Sequence, residues 1–318
     1  MSVANISAEA LGPISVAQER QPGRGGLAFW LEVSRPGLWF PTLWLYLLPL
    51  SRSAALDSPN FWVGLVFMSF PLNFLIYGWN DLVDAETDAQ NPRKGTFLFG
   101  ARPTAEQREQ LPRALVLVTL LSFAPIAWLG GPLRMLAVLA GIVLVCALYN
   151  HPTHGLRGRP PLELACQFAY LLVIPIAAWL NEAPMPPWPT LVYVALFCVQ
   201  SQLIGEVMDI EPDRATGRKT TATVLGHRGT KLLILAIVAL EVALLFLLFG
   251  DPWFAGALMG FLVWLLLDLT LIYRGRAYTL NEMKLFGLAS NAVALVTMGY
   301  VWWSACLTRF EGPLASLL

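Results

Sequence analysis

The chain has 318 residues, 56% of them hydrophobic and 13% charged, with a formal net charge of zero. A mean hydropathy of +0.59 is too high for a soluble domain, and without a basic excess there is no surplus cation to hold nucleic-acid phosphates. Cys146, Cys166, Cys198 and Cys306 all lie in apolar segments without metal-type spacing, so they are expected to be small packing residues.

Residues 1–26 carry Ser, Ala, Gln, Pro and Gly without an apolar run and read as a flexible tail, not a signal peptide. The remainder, 27–318, reads as one membrane domain. Leu27 to Val33, with Phe29 and Trp30 beside Glu32, suits a short interfacial helix. A membrane-crossing helix needs roughly 20 mostly apolar residues. Nine segments qualify: 37–56, 60–79, 113–130, 132–150, 161–180, 187–205, 229–249, 253–273 and 284–306. The first contains Pro41 and Pro49 and has Arg52 near its end. Of the 21 Lys and Arg residues, only Arg52, Arg134 and Arg309 fall on one side of these spans. The rest, Lys231 included, fall in the tail or in the loops after the second, fourth, sixth and eighth spans. Positive charge marks the cytoplasmic side, so the amino terminus and these loops are expected inside and the carboxyl terminus outside. The outer connections at Gly130-Gly131 and Gly250-Asp251-Pro252 are tight turns. The inner loops after spans two and six are long, which places chemistry on the inner face.

The second span ends in Asn80-Asp81-Leu82-Val83-Asp84-Ala85-Glu86-Thr87-Asp88. Residues three and four apart share a helix face, so Asn80, Asp81, Asp84 and Asp88 form one polar stripe. Each like-charge pair at that spacing costs about 0.2–0.5 kcal/mol on an exposed helix, and an acid at the centre of a span costs about 2.5–3.5 kcal/mol. Such a stripe needs a cation. A second copy, Glu206, Asp209 and Asp213, follows 125 residues later at the same spacing. Each copy leads into a basic pair, Arg93-Lys94 and Arg218-Lys219, and Tyr77 lies in register with Gln202. Pro212 inside the second stripe is expected to distort the helix and carry Asp213 off its face. Carboxylates in this pattern suit a hard cation such as Mg²⁺, which takes one or two carboxylates and shares substrate phosphates. Arg and Lys beside them suit the remaining oxygens of a diphosphate.

These motifs resemble the UbiA-type intramembrane prenyltransferases along residues 27–306. The first family motif appears as Asn80, Asp81, Asp84 and Asp88, and the second as Asp209 and Asp213, followed by Arg214, Gly217 and Thr221-Ala222-Thr223-Val224-Leu225-Gly226. The resemblance implies an all-α polytopic membrane protein, nine transmembrane helices around a central cavity, in an inner (cytoplasmic) membrane. It implies Mg²⁺-dependent transfer of a polyprenyl group from a prenyl diphosphate to a lipophilic acceptor, aromatic or isoprenoid. Asp81, Asp84, Asp88, Glu206, Asp209 and Asp213 would be the metal-binding set. Asp84, Asp209 and Tyr77 would be catalytic. Asn80, Arg93, Lys94, Tyr149, Arg157, Arg159, Gln202, Arg218 and Lys219 would bind substrate. Many relatives have a Lys four residues after a Tyr in the loop following the fourth span. Here Thr153 holds that place after Tyr149, and Arg157 or Arg159 must supply the charge. Asn91-Pro92-Arg93-Lys94-Gly95 and Asp209-Ile210-Glu211-Pro212-Asp213 look more like carotenoid-elongating branches than hydroxybenzoate enzymes.

Other polar residues keep two readings. Glu241 and Asp268 within spans, and Asn73 and Asn291, either face the cavity or bond a neighbouring helix. His151, His154 and His227 are expected to be loop residues, and Trp44, Trp302 and Trp303 to join an interfacial belt. Two competing functions remain: a membrane terpene cyclase acting on the prenyl diphosphate alone, and a transporter built from repeats.

Overall fold

The structure, a computed structural model, describes residues 25–52, 55–88 and 91–317. Except for Gly25 and Gly26, the expected tail lies outside the described residues. Among the described residues regular structure is helical, apart from one isolated bridge between Thr96 and Gly100. The chain opens with α1 (Gly26–Val33) and α2 (Phe40–Leu47), the latter ending in a tight turn, Leu48–Leu50. Then come α3 (Pro59–Val83), α4 (Ala85–Asp88), α5 (Ala105–Gly130) and α6 (Pro132–Asn150). A broken span follows, made of α7 (Leu162–Ala165), a 3₁₀ stretch and α8 (Val173–Leu180). The last four are α9 (Trp188–Ala215), α10 (Thr221–Leu244), α11 (Pro252–Leu267) and α12 (Leu280–Ser304), with α10 and α11 each prolonged by a π turn.

Among the described residues eight helices are long and apolar enough to cross a membrane. The expected first span, 37–56, is shorter: its apolar helix covers only Phe40–Leu50. Pro49, which lacks an N–H donor, tightens its end into a 3₁₀ turn. The segment makes contacts at both of its ends. Arg35 before it pairs with Asp81 at the end of α3, while Trp302 Nε1 donates to the Leu50 carbonyl at 2.9 Å beyond it.

Elsewhere the helices overrun the expected apolar edges. α5 begins at Ala105 instead of 113 and α9 runs to Ala215 instead of 205, whereas in α10 a short turn from Thr221 is separated by a kink at Gly226 (φ +70°) from the long helix that follows, close to the expected edge at 229. Caps set these ends, not hydropathy. Thr104 with Gln107, Thr220 with Thr223 and Thr279 with Glu282 form capping boxes at α5, α10 and α12, each satisfying two otherwise orphaned N–H donors. His227 therefore lies on α10 beside Glu211, 3.1 Å away, and not in a loop.

α3 is the most enclosed long helix, with 56% of its apolar window buried, against 11% for α12. Between helices in lipid, packing and hydrogen bonds replace the hydrophobic drive, each bond contributing about 0.6–2 kcal/mol. Thr42 Oγ1 donates to the Met68 carbonyl at 2.7 Å, and Asn73 Nδ2 donates to Thr42 Oγ1 at 2.8 Å, tying α2 to α3. Asn73 thus takes the helix-bonding reading. Trp44 is buried and stacks on Phe197 at 5.6 Å, so it is a core residue and not part of a belt. Trp303 is exposed as expected.

Candidate active site

The acids of α3 and α9 meet where these helices end. α3 stops at Val83, and Asp84 sits at the break before α4, its N–H still bonded to the Asn80 carbonyl at 2.9 Å. The stripe survives the break because Asp88 N–H closes on the Asp84 carbonyl at 2.7 Å. On α9 Pro212 does not end the helix. The helix runs on to Ala215 and Asp213 remains at the site.

Between them lies a cavity of about 370 Å³. Tyr77, Asn80, Asp84, Asp88, Arg93 and Lys94 line it from the first copy, and Gln202, Glu206, Asp209, Asp213 and Arg218 from the second. Tyr149 and Arg157 complete the expected set. Three expected residues are elsewhere. Arg159 is exposed against His154 at 3.2 Å, Lys219 is exposed, and Asp81 is buried beneath the cavity wall. The 3₁₀ turn Leu156–Gly158 brings Arg157 to the cavity, so of the two arginines it supplies the positive charge.

The ion pairs cross between copies. Asp84 of the first stripe is met by Arg157 and by Arg218 Nη2 at 2.5 Å, both from later loops. Asp209 of the second stripe is met by Arg93 and by Asn91 Nδ2 at 3.0 Å, both from the first loop. Arg218 also lies 3.6 Å from Asp213. Burial lowers the Arg157 guanidinium despite Asp84. For Arg218 burial acts the same way, but Asp84 and Asp213 outweigh it and hold the group above its ordinary value. Burial pushes the Asp88 carboxyl up, with Lys94 opposing.

Glu206 lines the cavity, but both its oxygens are engaged. Gln202 Nε2 donates to Oε1 at 3.0 Å and the Ala222 N–H donates to Oε2 at 3.2 Å. The open N–H groups at a helix start attract carboxylates, and Glu163 caps the same turn through Thr221 N at 2.5 Å. Glu206 thus supports the start of α10 from the cavity wall.

Among the described residues no three His, Cys, Asp or Glu side chains stand close enough together to hold a metal by themselves, because Arg and Lys heads lie between the acids. The donor chemistry still fits Mg²⁺: Asp84, Asp88, Asp209 and Asp213 offer only hard oxygen at the cavity.

Several site residues were not anticipated. Arg35 stacks over the Tyr77 ring at 4.6 Å, and Tyr170 OH donates to Tyr77 OH at 3.3 Å. Asn150 lies 3.4 Å from Asn80. Arg35 directly precedes Pro36 and Asn150 directly follows Tyr149, but nothing local distinguishes Tyr170. Cys146, Cys166 and Cys198 line the cavity wall. Asn291 reaches it too, donating to the Gly37 carbonyl at 2.8 Å. Asp268 and Glu241 do not. Asp268 pairs with Lys231 at 2.7 Å and accepts from Tyr278 OH, and Glu241 is fully enclosed. Lys231 is therefore a buried partner and not a loop cation. Leu98 closes the loop over the cavity, and a Cβ at Gly37 or Gly287 would lie 2.5 or 2.7 Å from its methyls.

A helical fold with eight helices able to cross a membrane among the described residues, and carboxylates and guanidiniums gathered at the helix ends of a cavity, defines a polytopic membrane enzyme. Residues 38–291 match the UbiA prenyltransferase family, and the chain belongs to it as a prenyltransferase. It is 29% identical over 233 residues to a lycopene elongase/hydratase of Corynebacterium glutamicum, covering 70% of this chain and 78% of that protein. It is 28% identical over 230 residues to a 4-hydroxybenzoate octaprenyltransferase of Vibrio vulnificus, covering 69% and 76%. A solved UbiA homolog from Archaeoglobus fulgidus bound to GPP and Mg²⁺ shares the fold, with a TM-score of 0.62 at 15% identity over 88% of this chain and 99% of that one.

Proposed function

We propose that the protein transfers a prenyl group from a prenyl diphosphate to an isoprenoid acceptor of the carotenoid type, with Mg²⁺ as cofactor. One observation carries this reading: Asp84, Asp88, Asp209 and Asp213 share a cavity with Lys94, Arg93, Arg157 and Arg218, while its deeper wall is apolar, from Leu72, Ile76, Ile142, Val173 and Phe197. The four acids would hold Mg²⁺, which when bound neutralises the diphosphate and makes it a better leaving group. Arg93, Lys94, Arg157 and Arg218 bind the remaining diphosphate oxygens. The allylic C–O bond breaks with its electron pair departing on the diphosphate, the acceptor double bond forms the new C–C bond, and the resulting cation loses a proton to the released diphosphate. Tyr77 and Tyr149 stand at the border between charged and apolar halves, where their ring faces stabilise the allylic cation. The apolar wall keeps water from it.

The segment from Arg35 to Arg52 serves in this reading as a ninth crossing, since one end meets Asp81 and the other Trp302, which this topology sets on opposite sides. Residues 27–318 then form one membrane domain around the cavity, with the acidic end cytoplasmic, as the Lys and Arg bias supports. The carotenoid-type acceptor rests on the loop wording and on the lycopene elongase/hydratase relatives.

The test is mass spectrometry of products formed by the purified protein from dimethylallyl diphosphate with lycopene, with 4-hydroxybenzoate, or with no acceptor. A prenylated lycopene is the expected product. A cyclic hydrocarbon or alcohol formed without acceptor would replace the reading with a cyclase. Prenylation of 4-hydroxybenzoate alone would replace the acceptor class.

A further inference from the structure

Asp81 belongs to the acidic stripe by spacing, yet it does not line the cavity and is 1% exposed. Its Oδ1 accepts from Arg35 Nη2 at 2.5 Å and from Lys94 Nζ at 2.7 Å. Asp84 also meets two cations, but it lines the cavity where a metal and a diphosphate would sit. Asp81 meets its two outside that lining, where a divalent ion would face repulsion from both without a substrate phosphate to offset it. We propose that Asp81 is a positioning residue, not a metal ligand. It anchors Arg35 and Lys94, and so ties the amino-terminal segment to the loop that closes the cavity. This inference rests on the prenyl-diphosphate reading of the site.

Both cations held by Asp81 act on groups that do line the cavity. Lys94, 6% exposed at its side chain, bridges from Asp81 to Asp88 at 2.6 Å. Arg35 reaches Asn80 Oδ1 at 3.2 Å and covers one face of Tyr77. Arg35 holds this place with a backbone φ of +50°, a left-handed conformation that persists in a non-glycine residue only when its surroundings fix it. The loop supplies part of that fixing. Gly100, at φ +100°, lets the backbone lie against the guanidinium, and a Cβ there would stand 2.5 Å from Arg35 Nε. The Gly37 N–H donates to the Phe97 carbonyl at 3.1 Å, joining the same two segments. Without the Asp81 charge, Arg35 and Lys94 become poorly exposed cations competing for Asp88, an arrangement that strongly disfavours the folded site.

The experiment compares full-length wild type with D81N, D84N, R35Q and D81N/R35Q in detergent. Three quantities are read: the Mg²⁺ dependence of turnover, Mn²⁺ binding by calorimetry, and the melting temperature without metal. D81N is expected to lower kcat about 10–100-fold, as loss of a supporting partner typically does. Its half-saturating Mg²⁺ stays within about twofold of wild type and its Mn²⁺ stoichiometry is unchanged, whereas D84N weakens Mn²⁺ binding about tenfold or more. D81N/R35Q melts no lower than D81N, because the second change removes the stranded cation. The proposal is overturned if D81N shifts its metal dependence as D84N does and recovers with excess Mg²⁺. Additive loss of melting temperature in the double variant overturns it as well. Should D81N not fold, the charge-balanced D81N/R35Q carries the same titration, and its failure to fold where R35Q folds also overturns the anchor. If wild type binds no Mn²⁺ and consumes no prenyl diphosphate, the functional reading fails, while the melting cycle still decides the anchor.

Discussion

Along α3 and α9 the acids recur at equal intervals, but the two copies meet different surroundings. The first acid of each stripe makes a supporting contact of its own. Asp81 sinks below the cavity and collects two cations, while Glu206 stays at the wall and caps the N-terminus of α10 through the Ala222 N–H. The second acids, Asp84 and Asp209, behave alike: each faces the cavity and is met by a cation from a loop distant in sequence. Equal spacing therefore marks an equal position on a helix and not an equal role. What differs is the neighbour, a buried pair of basic side chains in one case and the start of a helix in the other.

The largest effect that sharpens this comparison is at the shared second position. D84A and D209A are each expected to reduce turnover about 10³-fold or more, since each removes a carboxylate proposed to hold Mg²⁺ and strands its arginine partner. Product formation measured by mass spectrometry checks this, and near-normal activity in both would end the assignment. Chelation with EDTA should abolish turnover equally in the wild type, with Mg²⁺ restoring it.

Next come the crossed cations. R93A and R218A should each lower kcat/KM about 10–100-fold, an effect of charge-assisted contacts to a phosphate oxygen. Steady-state kinetics in prenyl diphosphate would show it. An effect confined to one of the two would break the symmetry of the second positions. At the first position of the second stripe, E206Q keeps the shape of the cap and removes its charge. It should cost about 1 kcal/mol of stability, read as a lower denaturation midpoint, with only a small loss of kcat. A loss as large as that of D209A would instead make Glu206 part of the metal site. Smallest of all, R159A and K219A should stay within about twofold of wild type, because both side chains are exposed away from the cavity and exposed charges contribute little.

Several readings of the sequence came through because their cause is local. Apolar runs of the right length marked eight of the long helices, and the paired motifs located the cavity to which most of the expected residues converge. Others depended on contacts that no local pattern records. Trp44 reads as an interfacial tryptophan but is stacked in the core against Phe197. Lys231 reads as a loop cation but is buried on Asp268. The helix start at Ala105 lies outside the apolar run because hydropathy falls off before the capping Thr104 is reached, and the short turn from Thr221, set off by the kink at Gly226, is polar enough to read as loop.

By itself the sequence determined that the protein is helical and membrane-embedded, that it carries two acidic stripes, and that basic loops follow them. These features follow from hydropathy, helical period and charge along a continuous stretch of chain. Only the tertiary structure decided which carboxylates face the cavity, which cation answers each one, and that Arg35 joins the site from ahead of the first crossing. Those assignments come from side chains brought together across as many as 134 positions, as between Arg218 and Asp84. The partner of a buried charge is set by helix packing, which local period and hydropathy do not encode.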